Sequence, residues 1–207
     1  MRTHVCRFAA AAGGLLLAGA SHALPLFTED FETATGTFEV TTTSELSAST
    51  NYYSSPSVPG WTLNTGIFLA EVAGDIALAL NEFPVHGSAT SPTISGFTVG
   101  QQYELSFFHF GDDQPNTTAY SFDVLLDAGV IASISRSYTF PGAGASESIL
   151  FTATATSHTL VFLDTTNVGS ASGMIDDVVV DAVVPEPQAL ALWLAGLVTW
   201  AARRRRG

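Results

Sequence analysis

The sequence predicts an all-β protein: a two-sheet antiparallel β-sandwich, wired like a jelly roll, between an N-terminal signal peptide and a C-terminal transmembrane helix. Three observations carry the β assignment. Between residues 24 and 184 no apolar period of about 3.6 residues is sustained, so no amphipathic helix can be drawn there. Short runs of Val, Ile, Phe, Tyr and Thr recur instead, cut by Gly, Pro, Asn, Asp and Ser, as strands are cut by turns. The 14 Phe and 3 Trp, within a chain that is 46% hydrophobic, can fill a core and argue against disorder.

Taken in order, strands are expected at Phe38 to Thr43, Gly66 to Val72, Ile76 to Asn81 and Thr93 to Val99. The clearest is Gln102 to Phe110, where Tyr103, Leu105 and Phe107 share one face and Glu104 and Ser106 the other. It ends in the turn-forming run Gly111 to Asn116. Tyr120 to Leu126 alternates in the same way, and Asp127-Ala128-Gly129 turns it back into Val130 to Ser135. Ser148 to Ala153, His158 to Asp164 and Met174 to Val183 complete the set. The Thr/Ser-rich stretch Thr41 to Ser57 is expected to be an edge strand followed by a polar loop, with Tyr52 and Tyr53 in the loop. Many short strands at this spacing favour two sheets packed face to face, and the length suits one domain.

Charge narrows the function. The chain has no lysine, and between residues 24 and 184 Arg136 is the sole cation against every one of the 19 acids except Glu186. No basic surface exists to displace counterions from phosphates, which excludes a nucleic-acid binder.

The two ends are address signals by composition. Arg2 and Arg7 precede the apolar run Phe8 to Ala20, and Ser21-His22-Ala23 places small residues before a cut at Leu24, the layout of a secretory signal peptide over residues 1–23. Cys6, the only cysteine, falls in the segment removed, so the exported domain is expected to hold no disulfide. At the other end Val184-Pro185-Glu186-Pro187 leads into Gln188 to Ala202 and then Arg203, Arg204, Arg205 and Arg206. About 14 apolar residues rising about 1.5 Å each reach roughly 21 Å, short of a roughly 30 Å hydrocarbon core. Snorkelling arginines and local thinning make up part of that difference, and the arginines favour the cytoplasmic side.

Pro185-Glu186-Pro187, a short apolar helix and an arginine cluster, joined to a signal peptide, resemble the PEP-CTERM sorting signal over residues 184–207. The resemblance implies a Gram-negative, exopolysaccharide-producing bacterium. It implies an exosortase of the inner membrane as partner, cleavage near Pro185-Glu186-Pro187, transient membrane residence through residues 188–202, and delivery to the cell surface or matrix. The three residues are recognition groups of a substrate there, and they leave open what the domain itself does.

Within the domain, Phe31-Glu32, Trp61 after a Pro-Gly turn, Tyr103 to Phe107 and Ile175-Asp176-Asp177-Val178 resemble the carbohydrate-binding-module jelly rolls, the galactose-binding-like fold. That family often carries a structural Ca²⁺ tying the start of the domain to its last strand; by position Glu32 and Asp176 would be its side-chain ligands. Calcium takes six to eight hard oxygens, and a dication would relieve the self-repulsion of so acidic a domain. The alternative is that Glu32 is a solvated turn residue and that Asp176 and Asp177 merely flank a strand.

No HExxH, no G-x-S-x-G and no cysteine nucleophile occurs in the domain. His109 admits two readings, a base oriented by Asp112 or Asp113, or a strand-end histidine at the sheet margin. Sugar binding needs exposed aromatics and polar partners, for which Tyr52 and Tyr53 are the candidates, while Trp61 reads as a core anchor. The expectation is a non-catalytic, exported surface or matrix protein, associated with exopolysaccharide and able to bind carbohydrate. The competing expectation is a secreted polysaccharide-acting hydrolase.

Overall fold

Tyr103, Leu105, Phe107 and His109 are buried while Glu104 and Ser106 are only half-buried, so the alternation visible in the sequence is that of a strand with one face on a core. A computed structural model describes residues 24–43, 49–82, 85–111, 119–137, 143–166 and 172–183. By its contacts the chain divides into Ala23–Val183 and a second unit made of Met1–His22 with Val184–Gly207; the described residues all belong to the first. The signal peptide, Pro185-Glu186-Pro187, the 188–202 segment and Arg203 to Arg206 lie outside the described residues.

In chain order the strands are β1 Phe27–Glu29, β2 Thr35–Thr43, β3 Ser49–Ser57, β4 Thr62–Leu63, β5 Phe68–Val72, β6 Asp75–Ala79, β7 Asn81–Glu82, β8 Val85–His86 and β9 Ser88–Thr90. They continue as β10 Ile94–Ser95, β11 Gln102–Gly111, β12 Ala119–Leu126, β13 Gly129–Ser137, β14 Ala145–Thr152, β15 Ser157–His158, β16 Leu160–Asp164 and β17 Gly173–Ala182. No helix of the described residues is long and apolar enough to cross a membrane. The larger sheet runs β14-β11-β17-β6-β5-β3-β2, with β1 also paired to β17; the sheet facing it runs β13-β12-β16-β9-β4, and β10-β15 and β7-β8 form two small two-stranded ribbons.

Rings from both sheets meet between them. Phe107 of β11 lies edge-on to Phe162 of β16 at 5.4 Å and tilts against Phe122 of β12 at 6.0 Å. Trp61 sits on Phe31 at 5.3 Å and stacks on Phe162 at 6.4 Å, the core position expected of it. Interdigitation of two inner faces makes this a β-sandwich. The turn after β12 is as tight as expected: Leu126 pairs Gly129, and Asp127 takes the positive φ (55°) that such hairpins need.

Two expectations are corrected. Ser49 to Pro56 is no loop but most of β3, paired with β2 on one side and β5 on the other. Its Thr, Asn and Ser content hid an alternation that only the neighbouring strands enforce. Ser55 has φ 49°, and the register with β2 shifts near that end and again between Tyr53 and Tyr52, where β2 carries the additional residue Glu39. Thr93 to Val99 shrinks to Ile94–Ser95, because Gly96 at φ 102° breaks the strand and sends the Phe97 ring against Tyr103 at 4.7 Å.

Candidate functional site

The first and last strands lie side by side: Phe27 pairs Val180 and Glu29 pairs Val178. Just past β1 the chain turns at Phe31, whose φ of 56° accompanies a fully buried ring. Glu29 fastens this corner, accepting the Phe31 N–H at Oε1 (3.0 Å) and the Trp61 indole N–H at Oε2 (2.9 Å). The turn delivers Glu32 to the β5–β6 hairpin, where its Oε1 accepts the N–H of Ile76 at 2.7 Å. That hairpin turns through Ala73 and Gly74, both at positive φ, and places Asp75 beside Glu32.

Asp176 arrives from β17. The register between β11 and β17 slips after Ser106, Phe108 faces Asp176, and Asp177 adopts φ 50° while donating its N–H to Asp176 Oδ1 at 2.7 Å. The Asp176 carboxyl is 4% exposed. Burial foremost, then the neighbouring acids Asp75, Asp177 and Glu32, push it up to about 8 against the opposing Asp177 N–H bond. Burial likewise raises Asp75, reinforced by its hydrogen bond and repulsion with Glu32 and by Asp177 and Asp30. A cavity of about 220 Å³ opens here, with Phe108, Phe110 and Val72 as apolar wall and Asp75, Asp176 and Asp177 as acidic wall.

Glu32 and Asp176 therefore belong to one acidic neighbourhood, with Asp75 as a member that the sequence did not reveal. Its donors are oxygens, the type a hard cation takes. Among the described residues no three of His, Cys, Asp and Glu converge as a ready metal-holding group. Arg136, the only Lys or Arg there, belongs to β13 of the other sheet.

Tyr52 and Tyr53 part company. Tyr52 is 8% exposed and packs with Ala70, Val72, Phe110 and Met174, so it offers no free ring for stacking. Tyr53 is half-buried on the opposite face, with Phe38 edge-on at 5.8 Å and itself 56% exposed. The Tyr53 hydroxyl and the Asn51 amide (3.4 Å) both donate to Glu71 Oε2, and Thr41 Oγ1 donates to Asn51 Oδ1 at 2.8 Å. These donors, Tyr53 first, hold the Glu71 carboxyl below the usual range, while the tyrosine is raised in turn. Strands β2, β3 and β5 thus present a platform of two aromatic rings beside a fixed carboxylate, an amide and a hydroxyl.

The histidines are tied into the fold. His109 is 1% exposed, with Nδ1 at 2.8 Å from the Tyr120 hydroxyl and Nε2 at 3.3 Å from Glu147. It sits inside the sandwich and not at the sheet margin; Asp112 and Asp113 lie outside the described residues. Burial lowers its pKa, opposed by Glu147. His158 is buried, bridging Asp127 at 2.7 Å and the N–H groups of Thr154 and Ala155. The exposed His86 meets the buried carboxylate of Asp164, which also accepts from Thr166 Oγ1 at 2.6 Å.

The chain is similar in fold to several solved structures. The K1 cleaved adhesin domain of Lys-gingipain from Porphyromonas gingivalis W83 is 9% identical, with 76% of this chain and 98% of that chain covered and a TM-score of 0.52. The CBM22-1 xylan-binding domain from Paenibacillus barcinonensis is 12% identical, covers 80% of this chain and 99% of that chain, and has a TM-score of 0.49. A CBM36 carbohydrate-binding module in complex with calcium and xylotriose is 9% identical, covers 75% and 99%, and has a TM-score of 0.43. At such identities the likeness concerns the fold, and the adhesin domain supports the sandwich. No protein-family model and no curated protein matches the chain.

Proposed function

We propose that this protein is a non-catalytic, exported module that holds polysaccharide on the β2–β3–β5 platform and is sorted to the cell surface or matrix by an exosortase. The observation that carries the binding role is the Tyr53–Phe38 pair beside Glu71, whose carboxylate is fixed by the Tyr53 hydroxyl and the Asn51 amide. A ring that can lie against a sugar face, next to immobilised hydrogen-bonding groups, is the chemistry a carbohydrate site needs. Replacing Tyr53 or Phe38 by Ala is expected to abolish retention on a polysaccharide matrix while the thermal transition persists. Unchanged retention in both variants would overturn the assignment of the site. The sorting role is tested by mass spectrometry of protein recovered from medium and cell surface, with termini expected near Leu24 and Pro185-Glu186-Pro187.

Calcium completes this reading as a structural ion. Asp176 and Glu32 would be its side-chain ligands, with Asp75 beside them, and the ion would supply the positive charge that these crowded carboxyls lack. A second reading, a polysaccharide-cleaving hydrolase, draws on the exposed imidazole of His86 oriented by buried Asp164, the arrangement of a general base. Product release from polysaccharide by the wild type, lost in His86→Gln, would favour it over the binding module.

A further inference from the structure

We infer that the β2–β3–β5 platform sorts glycans by charge, taking amine-bearing chains ahead of uncharged ones and rejecting uronates and sulfated chains. This rests on the reading that the platform binds glycan. Glu71 makes the platform electrically one-sided. Among the described residues its two donors, the Tyr53 hydroxyl and the Asn51 amide, bond the same oxygen, Oε2, leaving Oε1 for an incoming group. Those two donors also keep the carboxylate ionised. A sugar hydroxyl can donate to such an oxygen, and an ammonium can do so with charge added, whereas a second carboxylate only repels it.

No counter-charge answers from the described residues of the domain. Arg136 is the only Lys or Arg among the described residues, and it sits on β13 of the other sheet. The exposed aromatic next to the carboxylate adds a second feature that suits an ammonium, since a ring face attracts a cation. The same ring treats an uncharged sugar as an apolar surface. The ranking amine, then neutral, then anionic follows from one fixed carboxylate and one ring pair.

The test is retention of the secreted protein on size-matched chitosan, uncharged β-glucan and polygalacturonate, at a mildly acidic pH that keeps the chitosan amines protonated and the carboxylates ionised, at low ionic strength and at about 1 M NaCl, where the Debye length is about 3 Å. At low salt chitosan is expected to bind roughly tenfold more tightly than the glucan, and polygalacturonate not at all; at high salt the gap between chitosan and glucan should close. Overall acidity also attracts polycations, so Glu71→Gln is compared with Asp123→Asn, a distant acid on β12 held by Ser133 Oγ. Loss of the chitosan preference in Glu71→Gln alone supports the inference. An equal loss in both variants, or polygalacturonate held as well as glucan, overturns it while leaving glycan binding intact. Retention of none of the three overturns the binding reading itself.

Discussion

Tyr52 and Tyr53, neighbours in sequence, stand on opposite faces of β3, one among Ala70, Val72 and Met174 and the other bonded to Glu71. A strand reverses its side chains at every residue, so two identical residues receive different roles. Tyr52→Ala is expected to remove a packed ring and cost about 3 kcal/mol or more of folding stability. Tyr53→Ala removes a half-buried ring and is expected to cost far less while losing glycan retention. Denaturant midpoints and retention assays on the same preparations check the contrast, and equal midpoints for the two variants would contradict it.

His109 predicts an acid limb in stability. Burial lowers its pKa in the folded protein below the ordinary value of 6.5, so between those two values the unfolded chain binds the additional proton. Its contribution is therefore whole above about pH 6.5 and is lost as pH falls through the window beneath. In His109→Gln the denaturant midpoint is expected to change less between pH 7 and pH 5 than in the wild type. A larger change in the variant would reverse the sign and refute the argument.

Asp176 acts in the opposite sense. Its folded-state value of about 8 lies above the ordinary 3.8, so the metal-free folded protein holds a proton that the unfolded chain has released. Stability from this group falls as pH climbs from about 4 towards 8. Asp176→Asn is expected to melt higher than the wild type at pH 8 in chelator. Added Ca²⁺ is expected to raise the melting temperature of the wild type and leave the variant where it was. A wild-type transition indifferent to both chelator and Ca²⁺ would remove calcium from the account.

The strands β11 and β12 and the turn at Asp127 were legible because large apolar residues alternate there with polar ones, and because Asp-Ala-Gly suits a hairpin. The face of Tyr52 was not legible, since Thr50, Asn51 and Ser54 around it carry no apolar contrast; β2 and β5 impose its orientation. Only the resemblance to carbohydrate-binding modules pairs Glu32 with Asp176 from opposite ends of the domain, and the pairing of β1 with β17 is what brings those ends together. Asp75 was missed because an acid after Gly74 looks like any solvated turn residue until the β5–β6 hairpin sets it against Glu32. Glu71 was missed likewise. Its partners Tyr53 and Asn51 lie on another strand, and no local spacing announces a cross-strand bond.

Glu29 offers the sharpest test of how the start of the domain is held. Its two oxygens satisfy the Phe31 N–H at 3.0 Å and the Trp61 indole at 2.9 Å, at a corner where Phe31 carries a φ of 56° that a phenylalanine rarely adopts. Removing the acceptor leaves two donors with little access to water, each costing about 1–3 kcal/mol when unsatisfied. Glu29→Ala is therefore expected to destabilise the fold by about 2 kcal/mol or more. Glu29→Gln, which keeps one carbonyl oxygen but replaces the other by a second donor, should fall between that variant and the wild type. Because this corner also sets the path of the chain into Glu32, the alanine variant should respond less to Ca²⁺ than the wild type does. A full calcium response together with a wild-type midpoint would show that β1 is held by its pairing with β17 alone.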